Sequence, residues 1–172
     1  MSLKRKLTAA AFGAGIVPLL MVAVPSAPAF AHGYISSPPS RQAQCAAGTP
    51  KCGEIKYEPQ SVEGPKGLRS CSGGNARFAE LDDNNKGWKV TSVGQSVTFT
   101  WKLTAAHRTS TWEYYVGGKR VGLVNDNNQV PPKTVSHKVN MGGVKGKQKL
   151  LAIWNIADTA NAFYACVDLN IS

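Results

Sequence analysis

The chain has 172 residues and four cysteines, and its 20 Lys and Arg against 10 Asp and Glu give a net charge of +10. The length suits one domain with a core of its own. The basic residues are scattered, forming neither a helical stripe nor an aromatic-interleaved patch; this argues against nucleic-acid binding and leaves the charge to solubility and loose attraction to anionic surfaces.

In chain order, Lys4, Arg5 and Lys6 precede an apolar run from Leu7 to about Val24. Pro25 and Pro28 break the run, and Ala29-Phe30-Ala31 is a small-x-small cleavage site. A membrane anchor is the other reading, but Gly13, Gly15 and Pro18 interrupt the run and no stop-transfer charges follow. Residues 1–31 are therefore expected to be a signal peptide that is removed, leaving residues 32–172 as a single domain, secreted and with no membrane attachment. Removal leaves 141 residues and, without Lys4, Arg5 and Lys6, a net charge of +7. It also makes His32 the first residue. An N-terminal histidine offers a metal both an amine and an imidazole, a chelate that no internal histidine can form.

In an exported chain Cys45, Cys52, Cys71 and Cys166 read as two disulfides, with three connectivities open. Cys45 and Cys52 close a short loop through Gly48 and Pro50 and are the easiest local pair, which leaves Cys71 with Cys166. Zinc is the alternative, but the sequence has no C-x-x-C.

From His32 to about Ala76 the texture is that of a long loop region, rich in Pro, Ser and Gly, and a segment of this length inside a domain points to function. After Lys89 short strands dominate. Residues 95–101 alternate polar and apolar; 111–116 are aromatic and β-branched and end at Gly117-Gly118; 134–139, 148–154 and 164–171 complete the set. A short helical turn is expected near 76–81. No repeat or linker divides the chain. The pattern predicts an all-β fold, an immunoglobulin- or fibronectin-III-like β-sandwich with a long N-terminal loop region. Of the three histidines, His137 lies within a strand and reads as structural, whereas His107 follows a strand, where a sandwich places its loops.

Four separated motifs then carry a resemblance: His32-Gly33-Tyr34; Tyr57-Glu58-Pro59-Gln60-Ser61-Val62-Glu63-Gly64; Trp101-Lys102-Leu103-Thr104-Ala105 leading to His107; and Asp158-Thr159-Ala160-Asn161-Ala162-Phe163-Tyr164. In this order they resemble the bacterial lytic polysaccharide monooxygenases of auxiliary activity family ten, first described as chitin-binding proteins. The resemblance implies one copper ion held by His32 and His107, through the amine and a ring nitrogen of the first and a ring nitrogen of the second. Nitrogen donors suit copper in both oxidation states. It also implies that Phe163 and Ala105 close the two axial sides, that Glu63 stands near the open position, and that Tyr57, Glu58, Thr104, Asp158 and Asn161 meet the polysaccharide.

The implied reaction is oxidative cleavage of a crystalline polysaccharide by a monomer supplied with electrons by an external donor and with O2 or H2O2. Chitin with C1 oxidation is the expected substrate, with cellulose as the other possibility. Two rivals share the features: a chitin-binding protein without catalysis, and a copper carrier, which needs neither the Tyr57–Gly64 loop nor the Asp158–Asn161 segment.

Overall fold

Nine strands order the computed structural model, which describes residues 31–172, so that all of the expected leader except Ala31 lies outside the described residues. They are β1 (His32–Ser37), β2 (Glu63–Pro65), β3 (Thr91–Val93), β4 (Ser96–Ala105), β5 (Thr109–Val116), β6 (Lys119–Gln129), β7 (Thr134–Asn140), β8 (Gly146–Ile156) and β9 (Asn161–Ile171). One sheet has the order β1-β4-β7; the other runs β2-β9-β8-β5-β6, with β3 added in parallel along β9. The expected β-sandwich is the fold, and the five strands read from the sequence fall on β4, β5, β7, β8 and β9, the first of them starting one residue early.

Alternation puts Val97, Phe99, Trp101 and Leu103 of β4 into the space between the sheets, where they meet Trp112 and Tyr114 of β5, Trp154 of β8 and Phe163 of β9. Trp112 and Trp154 stack with ring centres 5.2 Å apart, and Trp101 lies 5.2 Å from Trp112. Each buried indole N–H finds an acceptor: Trp101 Nε1 donates to Tyr114 Oη (3.1 Å), Trp154 Nε1 to Thr109 Oγ1 (2.6 Å) and Trp112 Nε1 to Asp126 Oδ2 (3.3 Å). Tyr114 passes the chain on, its hydroxyl lying 2.7 Å from His137 Nδ1, so that His137 is the structural residue its position suggested.

The loop region builds a second core on the outer face of the larger sheet. Cys45, Ile55, Val62, Cys71, Phe78, Leu81 and Trp88 cover Leu151, Ile153, Tyr164 and Cys166. Strands β8 and β9 are thus buried on both faces, which is why they read as nearly unbroken apolar runs. Both expected disulfides are present, Cys45–Cys52 and Cys71–Cys166. Arg41 is buried beneath this layer. Its Nε and Nη2 each donate to an Asp168 carboxylate oxygen at 2.8 Å, and its Nη1 to the Leu81 carbonyl at 2.7 Å.

The structure departs from the sequence reading at the short strands β2 and β3, of three residues each, and in three longer elements. The first six residues of the supposed loop region are β1, whose mixed Gly, Tyr and Ser composition hides it. Arg41–Ala46 is a helix, α1, too short to show a period and started by Ser40, whose Oγ accepts from Ala43 N–H. Strand β6 is mostly exposed and polar, an edge strand with too little apolar alternation to be read. The turn expected near 76–81 is present as a 3-10 segment, Ala76–Asp82.

Candidate active site

Strand β1 starts where β4 ends, and their antiparallel register sets His32 opposite Ala105. Two residues on, in the short β4–β5 connection, comes His107. That connection is held by two bonds: Ala157 N–H donates to the Arg108 carbonyl (2.8 Å), and Thr109 Oγ1 donates to the His107 carbonyl (2.9 Å). The histidine that begins the expected mature chain and the one 75 positions later are therefore brought to the same end of the sandwich by strand pairing. Gly33 makes the close seating of β1 possible. A Cβ there would come within 2.5 Å of Leu103 Cδ2 and 3.1 Å of the Trp154 ring.

Phe163 fills the space beside His32, fully buried, with ring centres 6.1 Å apart and the Trp154 ring 5.1 Å behind it. Strand β2 pairs with β9 so that Glu63 stands opposite Phe163. Asn161 Nδ2 donates to Glu63 Oε1 at 2.8 Å, fixing the carboxylate from the neighbouring strand. Asp158, in the β8–β9 turn, accepts from His107 Nε2 at 2.7 Å. Burial raises the Asp158 pKa, but the hydrogen bond from His107 and the nearby Arg108 outweigh it and hold the carboxyl below its ordinary value. The turn itself is pinned by Lys66, whose Nζ donates to the Thr159 carbonyl (2.7 Å) and whose backbone N–H donates to the Ala160 carbonyl (3.0 Å).

The loop carrying Tyr57 and Glu58 joins this end through the Gly33 N–H, which donates to the Gln60 carbonyl at 3.0 Å. Tyr57 is 81% exposed, the most exposed of the large apolar side chains among the described residues. Glu58 is ion-paired with Arg77, a residue nothing in the sequence singled out. Thr104 is exposed beside Ala105, its hydroxyl 3.5 Å from the His32 carbonyl. All ten residues expected to form the site lie on β1, on β2 and the loop before it, at the end of β4 and just beyond, or at the β8–β9 turn and the start of β9. Asp158, expected on the sugar face, also holds a histidine.

A family model described as lytic polysaccharide mono-oxygenase, cellulose-degrading, matches residues 32–121 and 117–169. The chain is a lytic polysaccharide monooxygenase. A protein of Streptomyces ambofaciens named lytic chitin monooxygenase is 65% identical over 95% of both chains. A lytic polysaccharide monooxygenase of Jonesia denitrificans, known from a neutron crystallographic structure, is 50% identical, covers 82% of this chain and 100% of its own, and superposes with a TM-score of 0.79. The Streptomyces lividans family-ten structure follows at 38% identity, 81% of this chain, 99% of its own and a TM-score of 0.74. Strand pairing thus gathers His32, Glu63 and Phe163, with His107 just beyond β4, at one end of the sandwich.

Proposed function

We propose that this enzyme is secreted, begins at His32 after loss of residues 1–31, and oxidatively cleaves crystalline chitin at a single copper ion held by His32 and His107. The observation that carries the reading is the β1–β4 register, which sets His32 opposite Ala105 and so beside the connection bearing His107. The family match beginning at residue 32 supports the same mature start, and the S. ambofaciens relative supports chitin over the cellulose in the family description.

The donors fit copper. Among the described residues no three histidine, cysteine or carboxylate side chains gather to hold a metal. A metal bound by His32 and His107 would thus draw its third protein ligand from the backbone, and cleavage before His32 turns that backbone nitrogen into an amine. Two imidazoles and an amine form an all-nitrogen set of the kind copper favours. When bound, copper supplies one-electron redox chemistry toward an oxygen co-substrate.

The chain's own residues do the remainder. Asp158 fixes the His107 ring, as carboxylates commonly do for metal-binding histidines. Phe163 and Ala105 occupy the space around His32 and keep water from those sides. Glu63, oriented by Asn161, can exchange a hydrogen bond with the oxygen co-substrate. Tyr57 offers a ring to stack on a sugar, while Glu58, Thr104, Asp158 and Asn161 offer hydrogen-bonding groups around it. One oxygen atom of the co-substrate enters a C–H bond at the glycosidic carbon and the other leaves as water. With O2 this consumes two electrons from the external donor and two protons, with H2O2 no net electrons. The hydroxylated carbon then expels the neighbouring sugar as an alcohol and becomes a lactone carbonyl.

The deciding experiment is mass spectrometry of products released from chitin and from cellulose by the mature, copper-loaded protein with ascorbate and peroxide. C1-oxidised chito-oligosaccharides are expected. Adsorption and copper binding without oxidised products would instead make the protein a chitin binder.

A further inference from the structure

The turn that presents Tyr57 is gripped from below. Glu54 precedes Tyr57 and Glu58 follows it, and Arg77 reaches both: its Nε donates to Glu54 Oε2 at 2.9 Å and its Nη2 to Glu58 Oε1. Between them the backbone closes on itself, Tyr57 N–H donating to the Glu54 carbonyl (2.9 Å) and Ser61 N–H to the Glu58 carbonyl (3.0 Å). Arg77 is itself well seated. Asn75 Oδ1 accepts from its backbone N–H at 3.1 Å, its guanidinium lies 5.1 Å from the centre of the Phe78 ring, and Phe78 and Leu81 of the same segment are fully buried.

We propose that Arg77 is a positioning residue of the polysaccharide-binding face, clamping Glu54 and Glu58 together so that Tyr57 and the Glu58 carboxylate are held ready for the sugar. The inference rests on the reading of Tyr57 and Glu58 as sugar-contacting groups. Magnitudes separate this role from a structural one. The Arg77 and Glu54 side chains are more than half exposed, and ion pairs of that kind contribute little to stability. The planar guanidinium fork, however, suits two carboxylates at once, which a single ammonium does not. A ring as exposed as Tyr57 has few packing neighbours to orient it, so the turn beneath must do so. Holding it in advance removes an ordering loss that adsorption would otherwise incur. Glu58 accepts from Arg77 through one oxygen, and a carboxylate has a second with which to receive a sugar hydroxyl or an acetamido N–H.

The test uses the mature, copper-loaded enzyme and adsorption isotherms on chitin for Arg77→Gln, Arg77→Lys, Glu58→Gln, Tyr57→Ala and the double variant Arg77→Gln/Glu58→Gln. Arg77→Gln should weaken adsorption roughly two- to tenfold, the equivalent of re-ordering one side chain. Arg77→Lys should fall between it and the parent. The double variant should be weaker than Glu58→Gln by less than the full Arg77→Gln factor, and melting midpoint and copper affinity should stay at parental values. If Tyr57→Ala and Glu58→Gln leave adsorption intact, the sugar-face reading itself is wrong. If they weaken it while Arg77→Gln does not, the face stands and the clamp is wrong. Full multiplication of the two effects in the double variant, or a matching fall in melting midpoint and copper affinity, also overturns the clamp.

Discussion

Asp158 Oδ1 lies 2.7 Å from His107 Nε2, a contact between residues 51 positions apart that joins the β8–β9 turn to the β4–β5 connection. It gives Asp158 a task at the proposed copper site besides the one its motif suggests. Asp158→Ala should loosen the ring and weaken copper binding by about tenfold, the lower end of what such supporting carboxylates contribute. Asp158→Asn, which can still accept from a ring N–H, should retain most of the affinity. Competition titration with a copper chelator measures both; an alanine variant with parental affinity would confine Asp158 to the substrate.

Copper binding should depend on a free amine at His32. A purified form retaining one residue before His32 has an amide nitrogen there and loses one of three donors. Calorimetry should find its Cu²⁺ affinity lower by orders of magnitude, and equal affinity for the two forms would remove the amine from the site.

His137 should make stability depend on pH. Its burial lowers its pKa, with Asp126 opposing in part, and the Tyr114 hydroxyl lies on its Nδ1. A depressed imidazole pKa favours the neutral ring in the fold, so the unfolded chain takes up a proton first. Stability is therefore unaffected by this group above about pH 6.5 and declines as pH falls from there toward the lowered native value. Denaturant midpoints measured across this range should slope less for His137→Gln than for the parent. Parallel slopes would assign the acid sensitivity to other groups.

The two disulfides should differ in weight. Cys71–Cys166 spans 95 residues and Cys45–Cys52 spans seven. Chain entropy assigns about 4.7 kcal/mol to the long loop and about 2.5 kcal/mol to the short one. Urea unfolding of the Cys71→Ala/Cys166→Ala and Cys45→Ala/Cys52→Ala forms should preserve that order. A reversed order would show that native packing around the loops, and not closure of the unfolded chain, sets the difference.

What could be read from the sequence was whatever leaves a local mark. The period-two alternation of Val97, Phe99 and Trp101 follows from burying one face of a strand, and so a sandwich was legible. The odds of closing a short loop marked Cys45 with Cys52. The four motifs grouped His32, His107, Glu63 and Phe163 as one candidate site because they stand together as a family pattern. Partners distant in sequence left no such mark. Arg41 meets Asp168 across 127 residues, Arg77 meets Glu54 across 23, and Asp158 finds His107 only because the β8–β9 turn and the β4–β5 connection share one end of the sandwich. An isolated arginine or aspartate in a loop reads the same whether solvated or clamped, and strand β6, polar and at an edge, reads as a loop. The packing of elements distant in sequence decides these contacts, and strand register decides the site's frame. A shift of one residue between β1 and β4 would turn every β1 side chain to the opposite face of the sheet and break the pairing of His32 with Ala105; burial of Ile35, Trp101 and Leu103 in the assembled core, with the close seating of Gly33, rules it out.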